Sequence, residues 1–191
     1  MKKHKKTFLI LAIICTIVFG SWATVRIVKT VQFDFDCGAY LKRAANANTV
    51  ELAKEELKKA IDYVEDKELT EGIVSLFLKN PANDIGFWYQ NMKSAYDELE
   101  NLPENSSSLE KTNVLMKLRE SLTDSGDSNG TTNVITPSGI TVYPDNMLYF
   151  IWGFLSCVAT IVLWTLFLAS LDLKIETVTE NKKITIKKKE K

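Results

Sequence analysis

The spacing of apolar positions changes along the chain. TFLILAIICTIVFGSWATV (7–25) and MLYFIWGFLSCVATIVLWTLFLASL (147–171) contain no charged residue. A helix rises ~1.5 Å per residue, so ~20 apolar residues cross a hydrocarbon core of ~30 Å. Both runs satisfy that length and predict transmembrane helices over 7–28 and 147–171. Tyr149, Trp152 and Trp164 sit toward the ends of the second run, as interfacial aromatics do.

Between the two runs the apolar positions recur every three to four residues instead, the period of one helix face. Residues 35–47 bring Cys37, Tyr40, Leu41, Ala44 and Ala45 together. Residues 49–68 start with Asn48 and Glu51 at capping-box spacing and carry a stripe of Val50, Ala53, Leu57, Ala60, Ile61 and Val64. Asn83 or Asp84 starts a third helix that runs to Leu102 and stops before Pro103. Its stripe holds Ile85, Trp88, Tyr89, Met92, Tyr96 and Leu99, while Phe87 lies about 130° from the stripe's centre at 100° per residue. Residues 107–123 open with the capping box Ser107 and Glu110 and align Val114, Leu115, Leu118 and Leu122.

Short helices with one apolar face each must bury it against one another. The expected fold is an all-α membrane protein: two transmembrane helices flanking a small extracytoplasmic antiparallel four-helix bundle. A minor β-hairpin near the second span completes it, read from VITPSGITVYP (134–144) turning at Pro137-Ser138-Gly139. The long 69–83 connection contains GIVSLFLKN, a short strand or an apolar loop that Phe87 meets. The organisation reads as a basic N-terminus (1–6), a first span serving as signal anchor (7–28), and a helical bundle (29–124). A linker with the hairpin follows (125–146), flexible by composition at SGDSNGTTN, then the second span (147–171) and a basic tail (172–191).

Charge orients this arrangement. The net charge is zero overall, yet residues 30–146 carry 11 Lys and Arg against 20 Asp and Glu, while four Lys precede the first run and seven follow the second. Positive flanks face the cytoplasm, so both termini are expected inside and 30–146 outside a plasma (inner) membrane. The rival reading of the first run is a signal peptide cleaved after Ser21-Trp22-Ala23, but an uncleaved anchor suits its length better. Small or weakly polar residues recur on one face of each run: Ala12, Cys15 and Thr16 in the first, Gly153, Ser156, Cys157 and Thr160 in the second. Such faces allow close helix approach, so the spans are expected to pair with each other or in a homodimer. Neither run contains an ionisable residue of the kind that marks ion pathways.

Candidate chemistry is sparse. His4 is the one histidine, which leaves 30–146 without a nucleophile–histidine pair or a histidine ligand for zinc. Of three cysteines, only Cys37 lies between the runs; as an odd cysteine it is a candidate intermolecular disulfide, weighed against a small core residue. Asp34, Asp36, Asp145 and the EDKE of 65–68 are acids that solvated faces explain, with divalent-cation sensing as the sharper alternative. Asn105 and Asn129 head glycosylation sequons, and the terminal KKEK matches a retrieval signal that a Lys-rich tail meets easily. No cofactor, metal or nucleic-acid site is expected.

The order of span, outer helical bundle and span resembles bacterial chemoreceptor and sensor-kinase input modules in architecture, without a shared motif. The roughly 20 residues after the second run are too short for their signalling output. The expected function is therefore non-enzymatic: the outer helical domain binds or scaffolds another envelope or membrane component, with the lipid bilayer as second partner and Phe87 as candidate contact. The alternative is a sensory or regulatory subunit that detects an external ligand or divalent cation and acts through a separate partner.

Overall fold

A computed structural model describes residues 2–77, 79–124 and 133–189, with side chains over 5–77, 79–124 and 133–171. The chain is mostly helical: α1 (Lys2–Phe33), a π-helical turn (Asp34–Gly38), α2 (Ala39–Ala45), α3 (Val50–Asp66), α4 (Ile85–Glu100), α5 (Ser108–Leu122) and α6 (Asn146–Lys189). Two compact units result, Met1–Val25 with Leu148–Lys191, and Arg26–Met147.

The first unit contains parts of two helices long and apolar enough to cross a membrane, Lys5–Ala45 and Asn146–Leu171. Only 6% of the most apolar window of each is buried in the chain, so their apolar faces are not covered as those of a soluble core helix would be.

In the second unit the helix starts follow local chemistry. Thr49 is extended and its side chain accepts from the Leu52 amide, so Thr49 caps α3 where the sequence suggested Asn48. Its hydroxyl thus lies at the usual three-residue distance from an otherwise unpaired N–H. Asp84 caps α4 through the Phe87 amide at 3.0 Å. Ser107 and Glu110 form the reciprocal capping box of α5, the Ser107 amide donating to the carboxylate at 2.7 Å. That bond and the hydroxyl's hold the Glu110 carboxyl below its usual range.

Each helix buries its stripe. α2 packs on α3 and α5, α3 on α4 and α5, and α4 on α5. Cys37, Leu41, Leu57, Val64, Ile85 and Met92 are among the fully buried side chains. Phe33, the last residue of α1, joins this core edge-on to Tyr63, so the helix expected to begin at 35 instead continues α1 through the π turn. Glu56 is the charged exception at 4% exposure; one carboxylate oxygen accepts from Arg43 of α2 at 2.9 Å and from Lys59 at 3.2 Å. It ties α2 to α3.

The 69–83 connection crosses back over the start of α4. The Val74 amide donates to the Asn83 carbonyl and the Ile85 amide to the Gly72 carbonyl, around an antiparallel bridge between Ile73 and Asp84. Gly72 has a positive φ of 106° and lies against the Tyr143 hydroxyl, leaving no room for a Cβ.

A small antiparallel hairpin is present, but its strands are β1 (Thr123–Asp124) and β2 (Asn133–Val134). The 134–144 stretch does not fold back on itself as the sequence suggested. Gly139, at φ 93°, leads into a 3₁₀ turn at Ile140–Val142, and burial of Ile140 and Val142 outweighs their strand preference. The SGDSNGTTN stretch, Asn129 included, lies outside the described residues except at Asn133.

Candidate functional site

A largely apolar recess lies at the start of α4. Asn80 accepts from the Ala82 amide and sets a 3₁₀ turn at Pro81–Asn83, and Asp84 then caps α4. This fixes the register of the next five residues. Ile85 and Trp88 turn inward, Tyr89 is half-buried, and Phe87 is left 62% exposed. The Trp88 indole N–H donates to the Ile135 carbonyl at 2.8 Å, pinning the 135–137 segment beside α4. Between them lies a recess of about 500 Å³, lined by Phe87, Trp88, Met92, Leu122, Ile135 and Pro137 among others. Among the described residues, Asp84, Asn91 and Ser121 are its polar lining groups and Asp84 its one charged group.

A second recess of about 230 Å³ continues along α4 and α5, sharing Asn91 and Ser121 with the first. It includes Glu98 and Lys117, which pair at 2.7 Å. Elsewhere on α4, the Tyr89 hydroxyl donates to Glu65 at 2.6 Å and Lys93 pairs with the same oxygen at 3.4 Å. The phenol's bond and the ammonium lower the Glu65 carboxyl, while that carboxylate raises the Tyr89 phenol. A third recess of about 530 Å³ borders the π turn, with Asp34, Phe35, Lys42 and Thr136 in its lining.

Phe87 is thus set apart from the α4 stripe, as its angular position predicts. It is mostly exposed and stands at the mouth of the α4–α5 recess. Cys37 is free and fully buried, and burial, with the Asp36 charge adding, pushes its thiol up to about 12. A bridge to a second chain would require the core to open around it.

In the first unit, Gly153 lies against the Trp22 indole so closely that a Cβ there would overlap the ring. The same indole donates to the Tyr149 carbonyl at 2.8 Å, and Trp164 donates to the Thr16 hydroxyl at 3.1 Å. Ala12 and Ser156 are buried, and Cys15, Cys157 and Thr160 half-buried. Ser156 and Thr160 hydrogen-bond to carbonyls of their own helix, as Thr16 does to the Ala12 carbonyl. Trp22 was missed as a packing residue because its sequence context, Ser-Trp-Ala, reads as a cleavage site. Its position near the end of an apolar run opposite a glycine was the available signal.

Among the described residues, no group of three or more His, Cys, Asp or Glu is placed to hold a metal ion. The chain matches no family model, no curated protein and no solved structure.

Proposed function

We propose that this chain is a non-enzymatic, two-pass membrane protein whose outer helical domain docks another membrane or envelope component through the recess at Phe87. In this reading the apolar parts of α1 and α6 cross the bilayer, the Lys-rich termini are cytoplasmic, and residues 30–146 lie outside. The pairwise packing of α2, α3, α4 and α5 supports a four-helix bundle for that outer domain.

One observation carries the docking reading. A large aromatic is held mostly exposed at the mouth of an apolar recess, on a helix whose other large aromatics are buried or half-buried. Exposed apolar surface grouped around a concavity is the usual mark of a contact site. The sensory alternative keeps one argument: about 500 Å³ also falls in the size range of small-ligand pockets.

The test replaces Phe87 with a photo-crosslinking amino acid in native membranes, with Lys93, which turns toward Glu65 of α3 about 120° around α4 at 100° per residue, as the control. Docking gives a discrete protein adduct from position 87 and none from position 93. Identical patterns from both positions, or no protein adduct from 87, would overturn it; an adduct with a second copy would identify the partner as this chain.

A further inference from the structure

The two recesses along α4 and α5 meet at Asn91 and Ser121, so they form one seam. On α4 it reaches from Asp84 to Glu98, about 21 Å at ~1.5 Å per residue. Its two ends differ in chemistry. At the Asp84 end the lining is apolar, with Phe87 and Ile135 exposed at the mouth and Trp88, Met92, Leu122 and Pro137 beneath. At the other end the charges of Glu98 and Lys117 are already matched with each other.

Among the described residues, Asp84 is the one charged group lining the apolar end, and no cation lines it. Its Oδ1 accepts the Phe87 amide, and the partial positive charge of the helix start offsets about half of one elementary charge. A net negative potential remains beside the recess, within a segment, 30–146, that carries nine more acids than bases. An anionic group is disfavoured there and a cation favoured.

We infer that the seam receives a segment of the partner protein that inserts an apolar side chain next to a Lys or Arg, the apolar group filling the Phe87–Ile135 recess and the base facing Asp84. This rests on the docking reading and specifies its partner. A seam of this length matches an amphipathic segment laid along two helices, with its anchor at one end. The charge acts chiefly as a selector: a semi-exposed pair contributes up to about a fivefold preference, while apolar burial supplies most of the affinity.

The test uses the full-length protein in nanodiscs of neutral lipid, labelled with 5-fluorotryptophan. Of its four tryptophans, only Trp88 lies outside the two apolar runs, and Trp88→Phe assigns its ¹⁹F resonance. Three aryl probes imitate the inserted group: 2-phenylethylammonium, 2-phenylethanol and phenylacetate. The ammonium should shift the Trp88 resonance at about fivefold lower concentration than the carboxylate, with the alcohol between them. Asp84→Asn, which keeps a capping side chain, should abolish that order. Equal binding of all three probes, a preference for phenylacetate, or no shift at Trp88 with any probe overturns the inference. The position-87 adduct is read separately. If it persists without a cation preference, docking stands and the charge assignment falls; if it is absent, the docking reading falls and this inference with it.

Discussion

Phe87→Ala and Trp88→Ala are adjacent truncations for which the structure sets very different costs. Full burial of a large apolar side chain contributes about 1.5–3 kcal/mol. Phe87 retains 62% of its exposure, so little more than a third of that is at stake. Its loss should cost about 0.5–1 kcal/mol. Trp88 is 7% exposed, and its removal leaves a cavity costing about 3–5 kcal/mol. It also takes the donor from the Ile135 carbonyl, adding about 1 kcal/mol. Urea titration of the full-length protein in micelles, followed by far-UV circular dichroism, measures both losses while the two long apolar helices stay helical in detergent. A Phe87→Ala cost of about 3 kcal/mol or more would make Phe87 a core residue and remove the anchor from the docking account. A Trp88→Ala cost below about 1 kcal/mol would contradict the burial that frames the recess.

Other perturbations test neighbouring parts of the structure. Gly153→Leu should lower resistance to SDS unfolding by about 1–3 kcal/mol, because even a Cβ overlaps Trp22; Gly20→Leu, with nothing within 4 Å of its Cβ, should change little. In a Cys15→Ala, Cys157→Ala background, Cys37 should resist N-ethylmaleimide until urea is added and should migrate as a monomer without reductant, since the thiol is buried and its ionisation pushed up to about 12. A reductant-sensitive dimer would show that the core opens. Glu65 is lowered in the folded state by Tyr89 and Lys93, so its contribution is present above its ordinary value of 4.5 and is lost as pH falls through the folded value. The stability gap between the parent protein and Tyr89→Phe should therefore be under about 1 kcal/mol and narrow below pH ~4.5 in pH-resolved urea titrations; a gap that widens on acidification contradicts it.

The amphipathic helices were legible because their stripes obey one period. The buried faces of α3 and α4 and the place of Phe87 off the α4 stripe follow from angles alone, whereas its exposure does not. Boundaries were less legible, because neighbouring polar residues compete for one cap: Thr49 takes α3 where Asn48 was expected. The stretch from 134 to 144 misled for a different reason. Ile140 and Val142 flank Thr141 in the alternation of a strand, but their burial decided their conformation. The recess could not be read from sequence, because Leu122, Ile135 and Pro137 reach α4 only through tertiary packing. The π turn that continues α1 toward α2 had no compositional signal.

Everything proposed for the recess depends on residues 30–146 lying across the membrane from both termini. Labelling with a membrane-impermeant maleimide on intact cells tests this directly, using Asn101→Cys in the exposed turn after α4 and Lys6→Cys near the start of α1. The account predicts that Asn101→Cys labels on intact cells and Lys6→Cys labels only after lysis. Labelling of both positions before lysis, or of Asn101→Cys only after it, would contradict the account.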